Sequence, residues 1–214
     1  TLYTNARFWS AGQEIFHDLL VKDSIILATG EQTKEFTAET TIDLNGAFVI
    51  PAFLDGHAHP IFAGREAAGP KINGINSIEE IKAQVKAFAQ ANPTTPWIIG
   101  GAYEAAIIEG GDFDATWLDE VVSDRPVVLH AVDHHTIWVN SKAIEVAGIT
   151  SATKDPQGGT IARHSDGSAK GTLREPSAMA LVLNHAPANT IESDIAAITY
   201  ACAEYRRVGV IAAI

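Results

Sequence analysis

Two histidines separated by one residue are the part of the sequence whose types and spacing point most directly to chemistry. His57 and His59 directly follow the apolar residues 51–54 and Asp55. Residues i and i+2 of an extended chain point to the same side, so both imidazoles can reach one ion. Neutral imidazole nitrogen suits zinc and other divalent first-row metals. The pair therefore predicts a metal site, and the alternative is two loop histidines that follow a core strand.

Short strands are predicted on the N-terminal side of this pair. They cover residues 2–9, 19–21, 25–27, 41–44 and 47–50. Asn45 and Gly46 separate the last two of them and predict a hairpin, because both residues tolerate positive φ. Residues 1–50 thus predict a small antiparallel sheet, and Pro51 marks the change of pattern.

Helices and strands alternate after residue 75. Ser77 followed by Glu80 is a capping-box pattern, and residues 77–91 carry one apolar helical face. Further helices are predicted at 114–122, 140–147, 175–185 and 191–207, strands at 97–101, 126–131 and 209–214, and a polar loop or hairpin at 150–170. The alternation favours an α/β unit with a mostly parallel sheet. In α/β barrels, sites lie at the C-terminal ends of strands, where the histidine pair falls.

Composition excludes several classes of partner. The 214 residues contain 15 Lys and Arg against 26 Asp and Glu, which gives a net charge of −11. This balance argues against nucleic acid or an anionic membrane as the main partner. The single cysteine, Cys202, rules out an internal disulfide and a Cys-rich zinc module. No apolar run approaches the roughly 20 residues of a membrane span, and no signal pattern opens the chain, so a soluble, cytoplasmic protein is expected.

Several motifs together resemble one family. They are the run Asp43, Asn45–Gly46, Val49, Pro51, Phe53, Asp55, His57 and His59, the block from Asp133 to Ser141, and the pair Gly158–Ile161 and Gly171–Glu175. The first run is similar to the opening of the metal-dependent amidohydrolase superfamily. The block is similar to Asp-Gly-His-x-x-Trp-Val-Asn-Ser, and the pair to Gly-Gly-x-Ile and Gly-x-Leu-x-Glu. These narrow the resemblance to the YtcJ-like branch, which includes N-substituted formamide deformylases, and to the N-terminal portion of its members.

The resemblance implies an architecture. It is an α/β fold with part of a distorted TIM barrel of the metal-dependent hydrolase type, an N-terminal β-sandwich part and an inserted α/β subdomain. Residues 1–50 would supply strands of the small β-sandwich. Residues 51–214 would form the first part of a (β/α)8 barrel, with an insertion around 65–170. Because the chain stops inside the apolar run 210–214, we interpret it as a fragment of a longer protein.

The resemblance also assigns site residues. His57 and His59 match the first metal-ligand pair, and Glu175 matches a carboxylate that acts as a metal ligand or bridging catalytic group. His135 matches the histidine of the Trp-Val-Asn-Ser block, which faces the substrate. Two further metal-binding histidines and a catalytic aspartate are expected on later strands. The chain departs from the pattern at Ala52 and His134, where glycine is usual.

Other interpretations of these residues stay open. Glu175 lies where a helix begins, so it could serve only the electrostatics of the helix N-terminus. His135 could satisfy a backbone carbonyl beside a strand. Trp97, Tyr103 and Trp138 could line an apolar pocket wall, or belong to the core, where large aromatic side chains are commonly buried.

The function implied is a metal-dependent hydrolase, an amidohydrolase that cleaves a carbon–nitrogen bond in a non-peptide amide with a metal-activated water. The cofactor would be a divalent metal, with zinc as first choice, and the substrate a small molecule; the resemblance is also compatible with a homodimer. The alternatives are a deaminase or cyclic-amide hydrolase on the same fold, or an inactive truncated fragment that lacks the later ligands. The 214 residues alone are expected to be inactive.

Overall fold

The structure is a computed structural model and describes residues 1–12 and 15–214. The chain divides into two compact units. Unit 1 comprises Thr1–Ala58 and Tyr205–Ile214, and unit 2 comprises His59–Glu204. Within the described residues, none of the helices has the length and apolar content that crossing a bilayer requires.

Short strands and helices follow one another along the chain. The strands are β1 (Leu2–Thr4), β2 (Arg7–Phe8), β3 (Leu19–Lys22), β4 (Ile25–Thr29), β5 (Thr41–Asp43), β6 (Phe48–Val49), β7 (Phe53–Asp55), β8 (Ile98–Tyr103), β9 (Val127–Ala131), β10 (Thr136–Val139), β11 (Thr160–Arg163), β12 (Ala169–Arg174) and β13 (Val210–Ala213). The helices are α1 (Pro60–Ala67), α2 (Ile78–Ala91), α3 (Ala115–Asp119), α4 (Ser141–Val146), α5 (Glu175–Leu183) and α6 (Ile191–Arg207).

Unit 1 contains a four-stranded sheet in the order β4-β3-β1-β5 and two parallel strand pairs, β2 with β6 and β7 with β13. The sheet is mixed, because β1 runs antiparallel to β3 and parallel to β5. The predicted antiparallel hairpin around Asn45 and Gly46 is therefore wrong, although both residues have positive φ (56° and 79°). The strands on either side of this turn pair with β1 and β2 instead.

A matching bend at Asn5 explains this pairing. Asn5 also has positive φ, 54°, and its carbonyl oxygen accepts a hydrogen bond from the Gly46 N–H at 2.6 Å. Its side-chain amide donates to the Asp43 carboxylate at 2.9 Å. The two segments bend at the same level and stay side by side, so β1 and β2 are separate strands where the sequence predicted one continuous strand over residues 2–9.

Unit 2 is built on a five-stranded sheet in the order β11-β12-β10-β9-β8. Only the β8–β9 pair is parallel; the other neighbours are antiparallel. The expectation of a mostly parallel sheet is wrong here, because residues 132–135 and 164–168 are too few to form the crossover that parallel neighbours need. The α/β class is confirmed, and no closed barrel is formed by the described residues.

The core of unit 2 lies on both faces of this sheet. Successive residues of β9 alternate between the faces: Val127 and Leu129 pack in the cluster with α2 and α3, and Val128 packs in the cluster with α4 and α5. Tyr103 and Trp138 are fully buried in the first cluster, so they are core residues and not an exposed pocket wall.

Helix α2 confirms the helix predicted over residues 77–91. Ser77 is its N-cap, and the Ser77 hydroxyl oxygen accepts a hydrogen bond from the Glu80 N–H at 3.4 Å. Ile81 and Val85 lie on the buried face of the helix, as the apolar spacing predicts. Local capping and periodicity therefore suffice to place this element.

Candidate functional site

Titratable side chains gather at one end of the five-stranded sheet, where β9 ends and β10 begins. His130 is the second-last residue of β9, and Asp133, His134 and His135 lie in the turn to β10. Glu175 follows β12, which pairs with β10 so that Thr136 lies opposite Arg174. The register of β10 with its two neighbours thus gathers these groups from distant parts of the sequence.

His135 and Glu175, both predicted as site residues, contact each other. Nδ1 of His135 lies 3.0 Å from the Glu175 carboxylate, and the Glu175 N–H donates to the His135 carbonyl oxygen at 2.7 Å. The hydrogen bond to Glu175 raises the pKa of His135 above its ordinary value. Both side chains are substantially exposed, at 63% and 49%. A solvent-accessible acid–base pair therefore forms the outer edge of the site.

The backbone of Glu175 is held in the left-handed region. Its φ is 69°, although it begins α5 and precedes Pro176. A residue with a Cβ at such a φ carries a cost of about 1–3 kcal/mol, and such outliers cluster at functional sites. Glu175 is also an acidic residue in the first turn of α5, so a helix-terminus role is compatible with the structure. That role alone does not require the strained backbone.

A second group of titratable side chains lies at the same end of the sheet. Glu66 of α1, His130 and His134 each place a ligand-capable atom within 4.8 Å of the others. Glu66 Oε1 is 3.4 Å from His134 Nδ1. Burial raises the pKa of Glu66 to about 7, and burial together with His134 lowers the pKa of His130 to about 4.

Sequence reasoning missed Glu66 and His130. They belong to different elements that are far apart in the chain, so no short spacing connects them. The one signal present in the sequence was His134, which stands where the resemblance leads one to expect glycine. Its φ of 58° shows why glycine suits that position.

Of the predicted histidine pair, His57 belongs to unit 1 and His59 to unit 2. In unit 1, the His57 N–H donates to the Asp55 carboxylate at 3.1 Å directly after β7. In unit 2, His59 is the N-cap residue of α1, and its ring centroid lies 5.7 Å from that of Phe62. Their predicted role as metal ligands stays a prediction.

A cavity of about 440 Å³ opens in unit 2 beside the turn that carries His135. Its lining residues are Ala105, Ala106, Ile108, Gly110, Gly111, Asp133, Thr136 and Arg174. Arg174 forms an ion pair with Asp112 at 2.6 Å. The volume is in the range of small-molecule sites, and the lining combines apolar atoms with a few polar groups.

A family model supplies the decisive comparison, because the amidohydrolase family matches residues 40–213. The chain belongs to the amidohydrolase family. Its similarity to the putative amidohydrolase YtcJ of Bacillus subtilis is 35% identity over 173 residues, covering 78% of this chain and 32% of that protein. The N-substituted formamide deformylase of Arthrobacter pascens is 27% identical over 181 residues, covering 81% and 33%. These findings confirm the resemblance to the YtcJ-like branch.

Two solved structures have a fold similar to that of this amidohydrolase. An uncharacterized metal-dependent hydrolase from Pyrococcus furiosus has a TM-score of 0.63 at 22% identity, covering 99% of this chain and 43% of that one. An uncharacterized metal-dependent hydrolase from Pyrococcus horikoshii OT3 has a TM-score of 0.64 at 20% identity, covering 99% of this chain and 42% of that one. The chain spans about a third of the length of the two curated relatives named above.

Proposed function

We propose that this amidohydrolase, in its full length, hydrolyses a carbon–nitrogen bond in a small non-peptide amide. Glu175 carries the proposal: it follows β12 with strained backbone, contacts His135 and lies beside a cavity-lining residue, Arg174. A carboxylate held at such a conformational cost indicates chemistry more than stability. Family membership over residues 40–213 supports hydrolysis as the type of reaction.

The same proposal includes the architecture. Residues 51–214 would form the first part of a distorted (β/α)8 barrel, with an insertion around 65–170. Residues 1–50 would contribute strands to a small β-sandwich. The fold similarity to the two Pyrococcus hydrolases supports this arrangement, since each covers 99% of the chain.

The residues proposed as metal ligands are His57, His59 and Glu175. Their donor set of two imidazoles and a carboxylate fits zinc, and the carboxylate of Glu175 is half exposed at its strand end. When bound, a divalent cation would supply Lewis-acid activation of water and of the substrate carbonyl group. Further ligands would come from the rest of the full-length protein.

His135 would stabilise the negative charge that develops on the substrate oxygen. The Glu175 carboxylate accepts a hydrogen bond from Nδ1–H of His135 and favours the protonated imidazole ring. In the protonated ring, Nε2–H is available as a second donor. A positioned donor aimed at a developing oxyanion is a common source of rate acceleration. The Glu175 carboxylate therefore orients His135 as well as contributing a metal-ligating oxygen.

The cavity beside His135 would hold the substituent on the substrate nitrogen. Asp112 neutralises the Arg174 side chain, so the cavity presents little net charge from that residue. Apolar atoms of Ala105, Ala106 and Ile108 form much of the remaining lining. With Asp133 also in the lining, the cavity favours a neutral or cationic substituent over an anionic one.

The test uses the full-length protein and its double variant His57→Ala/His59→Ala. We expect the double variant to lose one equivalent of bound zinc and at least about 100-fold in kcat/KM for N-formyl amines, because these histidines would hold the cation that activates water. Release of formate and measured zinc content are the readouts. The exposed His185 provides the matched control, since His185→Ala leaves both readouts unchanged.

Other outcomes distinguish the alternatives. Ammonia release from an aminated heterocycle identifies a deaminase, and ring opening of a cyclic amide identifies a cyclic-amide hydrolase. Unchanged zinc content and turnover in the double variant would contradict the ligand assignment.

A further inference from the structure

We propose that Glu66, His130 and His134 form a second binding site for a divalent transition-metal ion, with zinc as the best match. The site shares no ligand with His57, His59 and Glu175, and it does not depend on the proposed hydrolytic function. Two imidazole nitrogens and one carboxylate oxygen are donors that zinc accepts. Three protein ligands leave the fourth coordination position of zinc for water or another ligand.

The distances between the ligand atoms fit this ion. Neighbouring ligand atoms of a tetrahedral zinc site lie about 3.4 Å apart, given zinc–ligand bonds of about 2.1 Å. Glu66 Oε1 and His134 Nδ1 are 3.4 Å apart. Each of the three groups places a ligand atom within 4.8 Å of the other two, so the set would contract slightly on binding the ion.

The neighbouring strand leaves room for Glu66. A Cβ built on Gly101 of β8 would lie 2.4 Å from the Glu66 carboxyl carbon and 2.5 Å and 2.8 Å from its two oxygens. Any side chain at this position would force the Glu66 carboxylate to move away. The absence of a Cβ at Gly101 is therefore what allows the carboxylate to reach the two histidines.

The backbone at His134 carries a cost that a simple turn does not need. Its φ of 58° suits glycine, and an imidazole in place of glycine costs about 1 kcal/mol. An ion pair with Glu66 would use His134 alone. It would leave unexplained why a second imidazole, His130, lies with its ring centroid 6.3 Å from that of His134. Metal coordination accounts for all three side chains together.

Phe62 packs beside this group within unit 2. Its ring centroid lies 6.1 Å from that of His134 and 5.7 Å from that of His59. His59 belongs to the predicted hydrolytic set and His134 to the set proposed here, so the two sets use different imidazoles.

The experiment measures metal binding by the whole chain after removal of metal with a chelator. The variant His57→Ala/His59→Ala serves as the background, so the predicted hydrolytic pair does not contribute. Equilibrium dialysis against Zn²⁺ gives the stoichiometry, and the visible absorption of Co²⁺ reports nitrogen and oxygen ligation. We expect one equivalent of metal in this background, and its loss when His134→Gly is added.

His134→Gly is a suitable variant because glycine is favoured at that φ, so the fold is retained. Gly101→Ala should weaken Zn²⁺ binding at least about 10-fold by displacing Glu66, and His185→Ala should leave binding unchanged. Absence of metal in the background variant overturns the proposal, as does metal that persists unchanged in His134→Gly. If Gly101→Ala fails to fold, the His134→Gly result decides alone. Hydrolytic activity is not a readout, so failure here leaves the proposed function standing.

Discussion

Asn140 lies at one end of the β9–β10 pair, and the His130, His134 and His135 side chains lie at the other. Asn140 is fully buried, and its side chain makes four hydrogen bonds. Its carbonyl oxygen accepts from the N–H groups of Val127 and Ala143 at 2.9 Å and 3.0 Å. Its amide donates to the carbonyl oxygens of Val122 and Arg125 at 2.9 Å and 3.0 Å. Every polar atom of this side chain is satisfied.

At the opposite end, several polar residues are buried or have an unfavourable backbone conformation. The buried hydroxyl of Tyr103 has no hydrogen-bond partner among the described residues. His134 and Glu175 both have positive φ, and Glu66 is largely buried, with 13% of its side chain exposed. Stability is therefore concentrated at the Asn140 end, which allows the other end to hold strained and desolvated groups.

The largest effect is expected from Asn140→Ala. Removing the amide leaves two N–H groups and two carbonyl oxygens without their buried partner, so the free energy of unfolding should fall by about 3 kcal/mol. Urea denaturation measures it. The exposed Asn184 provides the control, since Asn184→Ala should change stability by less than about 0.5 kcal/mol. A loss below about 1 kcal/mol for Asn140→Ala would show that the two ends do not differ in this way.

A smaller effect is expected from glycine and alanine substitutions at the strained end. Glu175→Gly should be more stable than Glu175→Ala by about 1 kcal/mol, because both lose the carboxylate and only alanine pays for a positive φ. The same order is expected at His134. At the exposed helical residue Lys86 the order should reverse, with Lys86→Gly less stable by about 1 kcal/mol. Alanine equal to glycine at both strained positions would refute backbone strain as the cause.

The smallest effect is expected from Tyr103→Phe near neutral pH, where stability should change by less than about 0.5 kcal/mol because the hydroxyl has no partner among the described residues. Burial raises the pKa of Tyr103. A folded-state pKa above the unfolded value means that stability is lost as the pH rises above about 10, where the unfolded tyrosine ionises. The parent protein should therefore lose stability above that pH faster than Tyr103→Phe. Equal pH dependence of unfolding in the two proteins would contradict this.

Local patterns in the sequence were sufficient for several elements of the fold. Helix α2 follows from the Ser77 cap and the apolar spacing over residues 77–91, and strands β3 and β4 follow from the apolar runs 19–21 and 25–27. The pairing partners of β5 and β6 were not predictable from Asn45 and Gly46 alone. A distant residue, Asn5, decides them through its own bend.

The candidate site likewise contains residues that the sequence predicts and residues that it does not. Motif resemblance pointed to His135 and Glu175, and the register of β10 and β12 brings them into contact. Glu66 and His130 carry no short motif, because their proximity depends on how α1 packs against β8 and on the missing side chain of Gly101. No short sequence motif predicts a contact between two residues when that contact depends on a glycine in a third element of the fold.

The partners of Asn140 have a consequence for how this protein can diverge. All four are main-chain groups, of Val122, Arg125, Val127 and Ala143. The four hydrogen bonds of Asn140 therefore do not depend on the chemistry of the side chains at those positions, provided that the asparagine itself persists. Substitutions in the turn at residues 132–135 can then accumulate while the other end of the hairpin continues to hold the sheet in place.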